Sequence, residues 1–375
     1  VTSGKGDLRV AEGSVWIYRL FDVADAVDLA AAERLVAAPS SRLALQGALS
    51  ASALEFPRPP LQLAIGAREV PLPPEIRGAR EALASANVYD FGVVSILYEL
   101  PVAPGTALGD LVPLAEELLE PTPEIDRAAR REAEELARAL GASLERPHSW
   151  EGLESYHVFF VRKFEEDGVR AADVLSRAPV AELLLGETSP VPLSAAERQD
   201  VLAHHFSYLE DDLVVVHWNS ALVVEPSGVE DVPDLLEFAT AHLLELRYYD
   251  AFLDRELHRL YDEIEAGGSP VVNLVTRRYR RLQRETAALL LELSEMIERL
   301  ENAVKIVGDF YLARVYQAAV RRFRLPAWQE SVLREQRLLA EVNDLIGDAA
   351  DTSRSELLEA IIILLILWEI LAALV

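Results

Sequence analysis

Histidine is the side chain best suited to acid–base work or metal ligation at neutral pH, and this chain carries seven. His204 and His205 are adjacent. Neighbouring positions on a helix do not face each other, so a shared metal is not expected there. His157 and His217 fall in two segments that read as strands. They could meet across a sheet as an acid–base or ligand pair, or each could be a hydrogen-bonded core histidine. The densest polar and aromatic stretch is EFATAHLLELRYYDAFLD, Glu237–Asp254. On a helix it sets His242, Glu245, Tyr249 and Asp250 on adjoining faces. That set suits acid–base or metal chemistry, and it equally suits an interhelical hydrogen-bonding face.

The sequence has no phosphate-binding loop, no G-x-G-x-x-G, no G-x-S-x-G and no H-E-x-x-H. It also has no cysteine, which excludes disulfides, thiolate nucleophiles and cysteine metal sites. No catalytic residue, cofactor or metal is therefore expected. A metal-dependent enzyme built on His157, His217 or Glu237–Asp254 ranks last among the readings.

Two basic clusters stand out, Arg277, Arg278, Arg280, Arg281 and Arg284, and then Arg321, Arg322 and Arg324. The first is the candidate contact with a lipid headgroup or an acidic partner. The alternative is that both clusters pair internally with the surplus of acids. Tyr279 alone is too little aromatic interleaving for a nucleic-acid platform.

These residues must be positioned by secondary structure, and its pattern changes along the chain. Val15–Val23, Leu61–Ile65, Val88–Leu100 and Ser155–Phe164 read as strands, rich in aromatic and β-branched residues. Gly92 inside the third predicts a bulge or a close backbone approach. Leu213–Glu225 reads as two strands around a tight turn at Asn219-Ser220. Helices are expected over Leu29–Ala37, Asp110–Leu119, Glu124–Leu140, Ala171–Leu185 and Ser194–Tyr208. Strands and helices mix without regular alternation, so the class is α+β. A ferredoxin-like arrangement is one form it could take.

After Pro226 the strands stop. Three long helical stretches follow, Val232–Ala266, Val271–Arg324 and Trp328–Ile346, with breaks expected at Gly267–Pro270, Pro326 and Gly347-Asp348. The second carries a seven-residue repeat. Leu282, Leu289, Met296, Ala303 and Phe310 hold one position; Thr286, Leu293, Leu300 and Val307 hold the other. Such a seam predicts coiled-coil packing and self-association, with Pro326 at the tip of an antiparallel hairpin.

The chain ends in LLEAIIILLILWEILAALV, Leu357–Val375, apolar but for Glu359 and Glu369. At 1.5 Å per residue it extends about 28 Å, one hydrocarbon core. Ser353 and Glu356 fit a capping box at its start. Leu357, Leu358, Ile361, Ile362, Ile363, Leu364, Leu365, Ile366, Leu367 and Trp368 would form a membrane anchor, or else the core of a bundle or oligomer. Three regions result: an α+β domain over 1–225, a helical and coiled-coil hairpin over 226–350, and the apolar helix over 351–375.

With 36 basic and 62 acidic side chains among 375 residues, the formal charge is −26. That disfavours nucleic-acid binding and adhesion to an anionic membrane by charge alone. The N-terminal thirteen residues are polar and do not read as a secretory signal.

The C-terminal pattern, with Leu358, Glu359, Ile361, Ile362, Ile363 and Glu369, resembles the end of the required-for-meiotic-nuclear-division (Rmd1/Sif2-like) family. VYDFGVVSI, Val88–Ile96, and LLEFATAHLLELRYYD, Leu235–Asp250, resemble its Gly-Val-Val strand and first long helix. The resemblance covers roughly the last 140 residues. It implies an α+β domain with a helical hairpin, membrane association and no known catalysis. The leading expectation is a non-enzymatic, membrane-associated scaffold on the cytoplasmic face of a bacterial inner membrane. The alternative is a soluble, cytoplasmic homo-oligomer with the tail buried.

Overall fold

A computed structural model describes residues 7–36, 38–45, 54–73, 76, 78, 80–119, 122–265, 278–302, 305–306 and 311–373. The strands are β1 (Arg9–Asp22), β2 (Ala24–Val27), β3 (Ser40–Arg42), β4 (Leu54–Glu55), β5 (Leu61–Glu69), β6 (Glu81–Val88), β7 (Val93–Pro101), β8 (Thr106–Ala107), β9 (Leu144–Pro147), β10 (Glu154–Phe164), β11 (His205–Phe206), β12 (Leu213–Val216), β13 (Ser220–Val224) and β14 (Lys305–Ile306). The α-helices are α1 (Leu29–Leu35), α2 (Val112–Leu119), α3 (Pro123–Leu140), α4 (Ala171–Arg177), α5 (Val180–Leu185), α6 (Ala195–Val201), α7 (Asp231–Glu265), α8 (Arg278–Asn302), α9 (Tyr311–Arg322) and α10 (Leu325–Ala373). The class is mixed α+β. Two compact units divide the chain: Val1–Tyr248 with Leu300–Pro326, and Tyr249–Arg299 with Ala327–Val375.

The first unit is built on a ten-stranded sheet, in the order β11-β12-β13-β10-β1-β7-β6-β5-β3, with β8 added against β1. It is larger than the sheet of a ferredoxin-like βαββαβ unit. Its ladders are antiparallel apart from β10 with β13, which is parallel. β1 lies in the middle, and from Val15 to Phe21 every side chain is buried. A strand covered on both faces needs this continuous run of large apolar residues rather than alternation.

One face turns Val15, Ile17 and Phe21 into a core with Ile125, Ala129 and Ala133 of α3 and Leu183 and Leu184 of α5. The spacing of the three α3 residues makes one apolar stripe. The other face carries Trp16, Tyr18, Tyr156 and Phe160, with an aromatic set of Phe56, Tyr89, Phe91, Phe238, Tyr316 and Phe323 in edge and tilted ring contacts. Each fully buried large side chain contributes about 1.5–3 kcal/mol.

The run Val88–Leu100, expected as one strand, is the end of β6, a turn and β7. The reversal is made by Tyr89–Gly92: Tyr89 N–H donates to the Val93 carbonyl at 2.9 Å, and Gly92 N–H to the Tyr89 carbonyl at 3.2 Å. Gly92 has φ of +96°, and a Cβ there would lie 1.6 Å from the Ala24 carbonyl oxygen. The close backbone approach expected from the sequence is present.

In the second unit, α8 and α10 lie antiparallel. Gln336 donates to Ser294 at 3.0 Å, and the Gln283 amide lies beside Gly347. Leu282, Thr286 and Leu293 of α8 are buried, as are Val332, Leu339, Val342 and Ile346 of α10.

Four helix expectations are corrected. Ala171–Leu185 is two helices, α4 and α5, and the helix expected over Ser194–Tyr208 ends at Val201, with β11 at His205–Phe206. The other two lie in the C-terminal half. Val271–Arg324 is not one helix, because α8 ends at Asn302, β14 pairs with β4, and α9 begins at Tyr311. The interrupting sequence, VKIVG at 304–308, is β-branched and closes on glycine, which lowers helix propensity and favours extended backbone. Ala303, Val307 and Phe310 of the heptad lie outside the described residues. The side chains of Met296 and Leu300 do too, and Leu289 is half-buried. The last correction is at Gly347-Asp348, where α10 continues without a break. A glycine inside a helix costs only about 1 kcal/mol relative to alanine, and here it leaves room for the Gln283 side chain. Pro326 lies in the first turn of α10, where its missing N–H costs nothing. A turn at Phe323-Arg324, with φ of +56° at Arg324, separates α9 from α10.

Candidate functional site

The first unit holds the sequence-picked histidines apart. His157, on β10, faces Arg19 of β1: the Arg19 guanidinium approaches His157 Nε2 at 2.9 Å. It also donates to Asp126 Oδ1 of α3 at 2.7 Å, Thr122 Oγ1 at 2.7 Å and the Tyr18 carbonyl at 3.0 Å. Burial lowers the pKa of Arg19, against the opposing pull of Asp126. Burial, then the Arg19 charge, hold His157 well below its usual range, so it is a neutral acceptor. His217 lies at the end of β12; burial, then Arg322, push it down to about 4. The two rings have different partners and form no acid–base pair. Sequence reasoning missed Arg19. The signal was there, a single charge in the apolar strand VWIYRLF, which can be buried only with a partner.

His148 is a second constellation the sequence reading passed over. Its Nε2 lies 2.9 Å from Asp22 Oδ1, and its Nδ1 lies 3.2 Å from Asp25 Oδ1. Its ring stacks on Tyr248 at 4.5 Å. Burial works against its charge, but the hydrogen bonds to Asp22 and Asp25 outweigh it and raise the pKa from 6.5 to about 9. Both ring nitrogens then donate, which suits an imidazolium clamp better than a proton shuttle. A raised folded pKa means the histidine's contribution is lost as pH rises from about 6.5 through about 9; burial pushes its partner Asp22 up to about 6, which sets the acid limit of the clamp. The thermal midpoint of wild type relative to His148→Phe is therefore expected to fall between pH 6 and pH 10. A difference that stays constant over that range excludes the clamp.

Along the stretch Glu237–Asp254, Glu237 and Glu245 are buried and His242 is half-buried in the first unit; Tyr249, Asp250 and Asp254 fall in the second. Burial pushes His242 down to about 4. Among the described residues no group of three His, Cys, Asp or Glu side chains is placed to hold a metal ion. An open cleft of about 530 Å³ lies beside Arg162, Lys163, Glu166 and Asp211. Arg162 there pairs with Glu230 at 3.0 Å and Glu12 at 3.6 Å.

Of the first arginine cluster, Arg277 and the side chains of Arg278 and Arg280 lie outside the described residues. Arg281 is exposed and pairs with Glu285 at 2.9 Å, and Arg284 is exposed. In the second cluster Arg322 pairs with Asp200 at 3.0 Å.

The apolar tail presents the largest feature. The contacts of Ser294 with Gln336 and of Gln283 with Gly347 set one antiparallel register. It places Arg278, the first described residue of α8, level with Thr352. Leu357–Ala373 therefore runs beyond the described part of α8. Ile361, Ile362, Ile363, Leu365, Ile366 and Trp368 are all exposed, from 41% at Ile361 to 73% at Trp368. At 100° per residue these six positions cover about 220° of the helix circumference. The side chains of Leu357, Leu358, Leu364 and Leu367 are outside the described residues. Among the described residues no helix is long and apolar enough to cross a membrane. A membrane-spanning anchor at Leu357–Trp368 is thus not shown among the described residues.

The fold and these features define a protein with a broad mixed sheet, a helical second unit and an exposed apolar helix. The chain belongs to the family described as Uncharacterized protein MJ0711, N-terminal domain, whose model matches residues 12–231. It is similar to Uncharacterized protein MJ0711 of Methanocaldococcus jannaschii, at 22% identity over 227 residues, covering 59% of this chain and 66% of the relative, just under two thirds of its length. No solved structure matches. Membership of the Rmd1/Sif2-like family is not shown. The matched region contains the Val88–Ile96 strand but stops short of Leu235–Asp250 and the C-terminal pattern.

Proposed function

We propose that the chain is a non-enzymatic assembly protein that associates with copies of itself through the apolar end of α10. The observation carrying this reading is the set of six exposed apolar side chains from Ile361 to Trp368, in a run of sequence that has no polar position over two turns. A helix apolar on all sides is stable when it is surrounded, either by other helices or by lipid. A second copy suits it better than a bilayer. Glu359 is exposed, and between helices it can keep its water, whereas a carboxylate at the centre of a bilayer costs about 2.5–3.5 kcal/mol. A chain of charge −26 also gains nothing from an anionic membrane surface. Of the heptad positions expected to form a coiled coil, Leu282 and Leu293 are already buried within the chain and do not add to this contact.

Membrane association is the second reading. Trp368, the all-round apolarity and the resemblance of the C-terminal run to the Rmd1/Sif2-like family support it. One experiment separates the two: express the full chain, a chain ending at Arg354, and the full chain with Ile362→Glu and Ile366→Glu. Wash the membranes with alkaline carbonate, and measure the mass of soluble protein by light scattering. Assembly predicts a detergent-independent oligomer for the full chain and at least a halving of mass for both variants. Retention of only the full chain in washed membranes establishes the second reading and ends the first. A soluble monomeric full chain overturns both.

A further inference from the structure

The first turns of α7 press a carboxyl group into the sheet. Glu237 is 1% exposed. Its Oε2 accepts from Asn87 Nδ2 of β6 at 2.6 Å, and its Oε1 has no hydrogen-bond partner among the described residues. Around it lie three buried hydroxyls: Ser95 Oγ of β7, which acts on the carboxyl, and Tyr18 Oη of β1 and Tyr89 Oη after β6, neither with a hydrogen-bond partner among the described residues. Ser95 is directly opposite Asn87 in the β6–β7 ladder and opposite Leu20 in the β1–β7 ladder. The carboxyl of Glu237 is thus faced by one amide and three hydroxyl groups from three neighbouring strands. The charged groups that act on this cluster come from α7 and its approach, Asp234, Asp231 and Glu230, and all are acids. No cation is among the groups acting on Glu237. Phe238, the next residue, packs into the aromatic set formed by Phe56, Tyr89, Phe91 and Tyr316.

A buried carboxylate with no counter-charge and acids for neighbours is costly, whereas a carboxylic acid there is an ordinary polar group with a hydrogen to donate. We propose that Glu237 is a neutral acid when α7 is seated on the sheet and gives up its proton when the first turns of α7 lift, so that acid tightens this contact and alkali loosens it.

The direction of the effect follows from linkage. Burial pushes the seated carboxyl from 4.5 up to about 7, although Ser95 and Asn87 oppose the rise. A lifted α7 exposes the group to water and restores its ordinary value. The seated state then holds one more proton than the lifted state between those two values. The opening constant should rise about tenfold per pH unit across that window and level off above it. Asp234 is also pushed up, by burial and then by Glu237 and Glu230, so it adds to the slope. The contribution of Glu237 has to be isolated by substitution.

The test is amide hydrogen exchange of Leu235–Ala241 in the full chain, corrected for intrinsic rates, from pH 5 to pH 8.5. Wild type should show opening that steepens with pH up to about 7 and then flattens. Glu237→Gln, which keeps the shape and the Asn87 contact, should show a slope shallower by one proton, about tenfold per pH unit. Equal slopes in the two proteins overturn the proposal. A direct reading guards against a variant that fails to fold: the Glu237 carboxyl ¹³C shift in labelled wild-type protein should titrate within one unit of pH 7. A midpoint near 4.5 refutes it. Glu335, in the second unit, is also raised to about 7, and Glu335→Gln is expected to leave the α7 slope unchanged.

Discussion

Replacing Arg19 with alanine should cost about 3–5 kcal/mol of folding stability, the range for removing one partner of a buried ion pair. The reading is the shift in urea midpoint at constant slope. The guanidinium is 1% exposed and ties β1 to α3 through Asp126 and Thr122, with His157 as a third partner. Its loss strands the neutral His157 acceptor, the Thr122 hydroxyl and a carboxylate only a quarter exposed. Arg19→Met should cost less, because the sheet face stays filled and Asp126 can turn to water. Asp126→Asn should fall between them, since it keeps an acceptor but leaves the buried charge uncompensated. Arg58, paired with Asp90 at 3.1 Å but 67% exposed, is the reference: Arg58→Ala should change little. An Arg19→Ala loss no larger than the Arg58→Ala loss would sink the argument.

Gly92→Ala should be at least as damaging, about 4 kcal/mol or more, among the rare large effects. Two penalties coincide. A φ of +96° is open to glycine and strained for any other residue. The added methyl would also sit 1.6 Å from the Ala24 carbonyl oxygen, which belongs to the backbone of β2 and cannot swing aside. The Val23 N–H to Gly92 carbonyl bond, at 3.1 Å, fixes this approach. The thermal midpoint of Gly92→Ala against wild type measures the cost. A variant within 1 kcal/mol of wild type would show that the turn is free to relax.

Much of the sheet could be read from the chain because its strands are punctuated and carry aromatic or β-branched residues. β10 and the β12–β13 hairpin fall where the sequence placed them, β1 begins six residues before the expected Val15, and α3 matches within one residue at its start. β6 was missed because its inward positions are Ala82, Ala84 and Ala86. The period of two was present, but in a residue that prefers helices. The seven-residue repeat of α8 was extended through 304–308 because apolar spacing alone does not register β-branching. The functional features were less legible for a different reason. Arg19, His148 and Glu237 gain their meaning from partners at 126, 22 and 87, distant in sequence and joined only by the sheet. What could be read was that a charge in an apolar strand or on an apolar helix face must find company.

The first unit is assembled from both sides of α8: its sheet is complete by Val224, but one face is covered by the start of α7 and by α9, Tyr311–Arg322. On the ribosome, at about 5–20 residues per second, roughly 4–17 seconds separate the emergence of Val224 from that of α9. Throughout that interval Tyr156 lacks Phe323 and Phe238 lacks Tyr316. The nascent sheet must therefore wait half-clothed, and a chaperone that recognises aromatic surface has its longest opportunity on this face. Chains stalled before residue 311 should be held and degraded, while chains stalled after residue 326 should already resist protease across the first unit.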